Sequence, residues 1–176
     1  MQFSRWMVSS GLMALLACAG VSRAETKVEL TNVHLCCRAC VAAVGNILKE
    51  IPGVEGKCDQ QSKTVTITAA DEKTAQKALD ALAKGGFHGK TANKELSIKD
   101  DSGVKKGKVQ TLTVAGVHDC CNSCNNAIKA ALKKVDGVKG NTATAKKDSF
   151  EVTGDFDAAE LIKALNDAGF HVKVKQ

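Results

Sequence analysis

Apolar and polar positions follow one order along the chain, and then follow it again. Val28 and Leu30 alternate with polar neighbours, as do Leu112 and Val114, and each run predicts a strand with one buried face. Val44, Ile47, Leu48 and Ile51 then keep the i, i+3, i+4, i+7 stripe of an amphipathic helix, and Ile128, Ala131, Leu132 and Val135 repeat it. Turns are expected at Pro52-Gly53 and Asp136-Gly137. A strand pair follows in each half, closing with Thr64-Val65-Thr66-Ile67 and with Phe150-Glu151-Val152. Second helices are carried by Ala75, Leu79 and Leu82 and by Leu161, Ile162 and Leu165, stopping at Gly86 and Gly169, with a short last strand from His88 or His171.

The order is β-α-β-β-α-β, written twice. It predicts an α+β chain of two ferredoxin-like βαββαβ sandwich domains in tandem, residues 25–92 and 108–176. Residues 93–107 are polar, charged and glycine-bearing and read as a linker, with Leu96 and Ile98 as an extension of the preceding strand. Stretched out, about 15 residues reach roughly 50 Å, so the halves are free to meet or separate.

The repeat extends to chemistry. At a shift of 84 residues, His34, Cys36, Cys37 and Cys40 fall on His118, Cys120, Cys121 and Cys124. After a one-residue slip, "ALAKGGFH" (Ala81 to His88) meets "ALNDAGFH" (Ala164 to His171). All 4 histidines are thereby paired, whereas Cys58 faces Thr142 and reads as a buried free thiol.

Residues 1–24 stand apart from the repeat. A basic start, the apolar run Trp6 to Val21 and the small residues of Ser22-Arg23-Ala24 predict a secretory signal peptide cleaved after Ala24. Leu15-Leu16-Ala17-Cys18 offers a second exit, a lipobox with Cys18 as a lipid anchor. Either places the mature protein in the periplasm or outside the cell. The formal charge of +6 is spread over both halves, and with 3% aromatic residues it predicts solvation rather than nucleic-acid binding.

Each Cys-Cys-x-x-Cys lies where the first strand hands over to the first helix. Unpaired N–H groups and the positive end of the helix dipole favour thiolates there. Thiolates are soft ligands that select Cu(I), Hg(II), Cd(II) or Zn(II) over hard cations. The predicted ligands are Cys36, Cys37, Cys40, Cys120, Cys121 and Cys124, with His34 and His118 as further ligands or hydrogen-bond partners. His88 and His171 either approach this loop or simply open a strand.

These features resemble the heavy-metal-associated domains, the family of copper chaperones, copper-ATPase amino-terminal modules and the periplasmic mercury-binding protein. Cys37 and Cys40, with Cys121 and Cys124, match the metal-binding pair; Gly53-Val54, Gly137-Val138, Gly86-Phe87 and Gly169-Phe170 match the remainder of the pattern. The resemblance implies a soft ion, Cu(I) first, up to one per domain, with a metal-transporting protein as donor or acceptor. Where the family has Gly-Met, this chain has His34-Leu35 and His118-Asp119, and Cys36 and Cys120 are additional. The Asp119 carboxylate is expected to disfavour neighbouring thiolates or to suit a harder ion such as zinc.

Two further readings stand beside metal carriage: a thiol–disulfide oxidoreductase, and a structural clamp in which both halves share one zinc. No paired carboxylates, Ser-His-Asp grouping or phosphate loop stands out, so an enzyme is not expected.

Overall fold

The computed structural model describes residues 25–175. The signal-peptide and Cys18 expectations lie outside them. Among the described residues, no helix is long and apolar enough to cross a membrane.

The first half runs β1 (Thr26–Thr31), α1 (Arg38–Lys49), β2 (Val54–Asp59), β3 (Thr64–Ala69), α2 (Glu72–Lys84) and β4 (Lys90–Thr91). The second runs β5 (Lys108–Ala115), α3 (Asn122–Leu132), β6 (Val138–Asn141), β7 (Ser149–Asp157), α4 (Ala158–Asp167) and β8 (Lys173–Val174). Each half forms a four-stranded antiparallel sheet, in the orders β2-β3-β1-β4 and β6-β7-β5-β8, the ferredoxin-like arrangement. Alternation sets the register: Val28 faces Ile67 and Leu30 faces Val65, while Leu112 faces Val152 and Val114 faces Phe150. These side chains are buried beneath Val44, Leu48, Leu79 and Leu82 in one half, and beneath Ile128, Leu132, Leu161 and Leu165 in the other.

Three sequence expectations need correction. The apolar stripes continue to Ile51 and Val135, but α1 and α3 end earlier; Ile51 and Val135 donate to the carbonyls of Leu48 and Leu132 in a tighter turn that leads into Gly53 and Gly137. The last strands begin at Lys90 and Lys173, because the backbone at His88 and His171 is used elsewhere. The connection between halves is not a free tether, and Leu96 and Ile98 do not extend β4. Leu96 is buried, its carbonyl accepts from the Thr91 hydroxyl, and the Ser102 carbonyl accepts from the Val174 N–H 2.8 Å away.

The halves meet through a reciprocal contact. Phe87 and Phe170 form an antiparallel bridge, in which the His88 N–H donates to Gly169 and the His171 N–H donates to Gly86, both at 3.0 Å. Gly86 and Gly169 follow the ends of α2 and α4 with φ of +82° and +89°. Their missing side chains matter doubly. A Cβ on Gly86 would lie 2.3 Å from the His118 nitrogen, and one on Gly169 would lie 2.4 Å from the His34 nitrogen. Each glycine thus lets one half press its backbone onto the cysteine loop of the other.

Candidate metal centre

The cysteine loops are built alike. β1 and β5 are each followed by a residue of positive φ, Asn32 (61°) and Gly116 (78°), which turns the chain sharply. Val33 and Val117 are buried, and their N–H groups donate to Lys63 and Asp148 at 2.9 and 3.2 Å. Cys37 and Cys121 are the N-caps of α1 and α3, in extended conformation, and Cys40 and Cys124 sit one turn later, fully buried.

The six predicted sulfurs do not form two separate triads. They form one group. Cys37, Cys40, Cys124 and Cys121 make a ring of sulfurs with successive separations of 3.7, 3.7, 3.8 and 3.9 Å. Cys36 caps one face, 3.7 Å from Cys40, 3.7 Å from Cys121 and 3.4 Å from Cys124. Cys120 caps the opposite face, 3.7 Å from Cys37, 3.6 Å from Cys40 and 3.6 Å from Cys124. The vicinal pairs close the figure, with Cys36 and Cys37, and likewise Cys120 and Cys121, within 4.8 Å. A four-membered ring with two caps is an octahedron, and each half supplies three of its corners.

The thiols differ in acidity. No formal side-chain cap forms at either helix, yet the Cys40 N–H lowers the Cys37 thiol and the Cys124 N–H lowers the Cys121 thiol. Cys36 is raised, first by burial and then by the Cys124 and Cys121 thiols; Cys120 is pushed up to about 12, chiefly by burial. Hydrogen bonding with Cys40, and then burial, raises Cys124. Packing sulfur against sulfur penalises full deprotonation unless a cation shares the site.

His34 and His118 are not open loop residues. Each stacks on the phenylalanine of the opposite half, His34 on Phe170 and His118 on Phe87, with ring centroids 4.3 Å apart in both pairs. A ring nitrogen of His34 lies within 4.8 Å of the Cys36 and Cys124 sulfurs, and its hydrogen bonding favours the Cys124 thiolate. Among the described residues, the Nε2 atoms of both rings are buried without a hydrogen-bond partner.

His88 and His171 do not reach the sulfurs. They meet each other, Nδ1 to Nδ1 at 3.3 Å, with His171 Nε2 2.7 Å from an Asp101 carboxylate oxygen that no sequence signal singled out. Asp119 is engaged elsewhere: its Oδ2 accepts from Asn125 at 2.9 Å within a buried pair. Cys58 is half-buried on β2, raised by desolvation, and belongs to none of the sulfur triads.

Comparison with known proteins shows what the chain is similar to. Residues 111–171, which hold Cys120, Cys121, Cys124 and Gly169-Phe170-His171, match the family model of the heavy-metal-associated domain. Over 68 residues the chain is 34% identical to heavy metal-associated isoprenylated plant protein 34 of Arabidopsis thaliana. That stretch is 38% of this chain and 11% of the plant protein, so the chain spans about a tenth of that relative's length. Among solved structures, the N-terminal soluble domains of Bacillus subtilis CopA align over 87% of this chain and 95% of that one, at 17% identity and a TM-score of 0.32. The family match thus lies wholly within the second half of the chain.

Proposed function

We propose that the mature chain is an exported carrier of soft metal ions, Cu(I) foremost, built from two heavy-metal-associated domains that hold their cargo in one shared thiolate site. The observation that carries this reading is the sulfur octahedron, with Cys36 and Cys40 of one half 3.4 and 3.7 Å from Cys124 of the other. Six thiols converging without a disulfide among them make a poor structural device and a strong soft-cation trap. Two helix N-termini aimed at the site offset the charge of bound thiolates. Cys37 and Cys121, the more acidic pair, provide an entry where the thiols of a metal-transporting protein can exchange one ligand at a time.

Cleavage after Ala24, or lipidation of Cys18, puts this site in the periplasm or outside the cell. The role is sequestration or transfer rather than catalysis. Convergence of both halves also favours a second reading, a zinc clamp between domains, which differs in the ion held and in needing tetrahedral coordination.

The test is elemental analysis of the mature chain purified reduced and without oxygen, followed by dialysis against Cu(I), Zn(II), Cd(II) and Hg(II). Copper retained by the native chain, and lost when all six cysteines become serine, is expected. Indifference to every soft cation, or unchanged binding in the serine variant, contradicts the proposal; a single zinc retained in preference to copper favours the clamp.

A further inference from the structure

The octahedron contains more than a binding pair at each Cys-x-x-Cys. Four of its triangular faces touch one another only at corners: Cys36-Cys37-Cys121, Cys37-Cys40-Cys120, Cys120-Cys121-Cys124 and Cys36-Cys40-Cys124. The sulfurs of the first three lie within 4.8 Å of each other, and those of the fourth within 3.7 Å. Every sulfur belongs to two of the four faces, and every face draws on both halves except Cys120-Cys121-Cys124.

We propose that this octahedron holds a four-copper(I) cluster, one ion on each of these faces and every cysteine sulfur bridging two ions. The inference rests on the soft-metal reading above and adds the nuclearity and the bonding of the cargo.

Coordination geometry selects it. With a metal–sulfur bond of about 2.3 Å, the three sulfurs around a trigonal ion lie about 4.0 Å apart. Ten of the twelve edges span 3.4–3.9 Å, close to that value, and the two vicinal edges are within 4.8 Å. Two sulfurs gripping one ion in a line would instead stand about 4.6 Å apart. Cys37 and Cys40 are 3.7 Å apart, and Cys121 and Cys124 are 3.8 Å apart, so neither Cys-x-x-Cys is spread for a linear site. Tetrahedral coordination fits no better. Any four corners of an octahedron include an opposite pair, separated by about 1.4 edges, whereas the four sulfurs around zinc must be mutually equidistant. Trigonal faces are what the arrangement offers, and thiolate-bound Cu(I) accepts three sulfurs.

Charge and protons also balance. Four Cu(I) ions and six thiols give a cluster of net charge −2 and release six protons, with no change in copper oxidation state. That residual charge lies between the N-termini of α1 and α3. The additional cysteines acquire a reason: Cys36 and Cys120 are the two caps, without which only a ring of four sulfurs is left.

The experiment is an anaerobic titration of the reduced mature chain with Cu(I) supplied as its acetonitrile complex, read by native mass spectrometry and X-ray absorption. The expected result is a population dominated by metal-free and four-copper chains, with intermediate loadings sparse. A copper–copper distance of about 2.7 Å is expected, since centres on alternate faces lie two-thirds of an edge apart. The C36S/C120S variant should hold at most about two ions, a loss of half or more. One or two ions binding stepwise, equally in both proteins and without a copper–copper vector, would overturn the cluster while leaving soft-metal binding standing. No uptake at all would defeat both.

Discussion

Phe170 lies in one half of the chain and stacks on His34 in the other, with ring centroids 4.3 Å apart and planes inclined by 30°. Phe87 and His118 repeat the contact at 4.3 Å and 29°. Both phenylalanines are 1% exposed, so each fills the core below its own helix and also presents a ring face to the opposite cysteine loop. Phe170→Ala is therefore expected to cost about 3–5 kcal/mol of stability, read as a lower urea midpoint, and to weaken metal retention although no ligand is altered. Retention unchanged despite the lost stability would show that the stacking does not hold the loops in place.

The glycines beside those rings make a sharper test. Gly169→Ala places a Cβ against the His34 nitrogen at a backbone angle that side chains rarely adopt. Its expected result is partial separation of the halves, visible as an increased radius in solution scattering and as slower assembly of the metal site. Gly45→Ala, at an open position on α1, should change neither.

Thiol acidity predicts an order of alkylation. In metal-free, reduced protein near neutral pH, Cys37 and Cys121 should react first with iodoacetamide, because helix N–H groups stabilise their thiolates. Cys36, Cys120 and Cys124, all raised, should follow slowly. Peptide mapping at short reaction times would show the order, and equal labelling of all six would contradict it.

Acid should loosen the interface through the histidine pair. Burial, and then the neighbouring His171, push His88 down to about 4 from 6.5. Between those values the unfolded chain binds a proton that the folded chain resists, so stability falls as pH drops from 6.5 towards 4 and the loss is complete below that. Only one of the two facing Nδ1 atoms can carry the proton that the pair shares. His88→Asn should flatten this acid limb in urea unfolding followed from about pH 7 to pH 4.5. An unchanged limb would assign the acid sensitivity elsewhere.

The strands and helices were legible because each depends on local alternation, and the 84-residue shift gave two readings of every element. The identities of the six cysteines were legible for the same reason. Their convergence was not. A connection of this length permits nearly any separation of the halves, and contacts between Gly169 and His34 leave no periodic trace within either half. One signal was present: Gly-Phe-His after the second helix is repeated, although a short strand start requires none of those residues. The Asp119 pairing was not legible either, because its sequence neighbours are cysteines whereas its partner Asn125 lies six residues further on, inside α3.

The most direct measurement of a shared site is the copper(I) capacity of the two-domain chain, residues 25–176, with Cys120, Cys121 and Cys124 replaced by serine and Cys36, Cys37 and Cys40 intact. If both halves build one octahedron, the remaining triad should hold at most about one ion, weakly, far below half the native load. Retention of half the native copper at native affinity would mean that each half binds for itself, and would contradict the account.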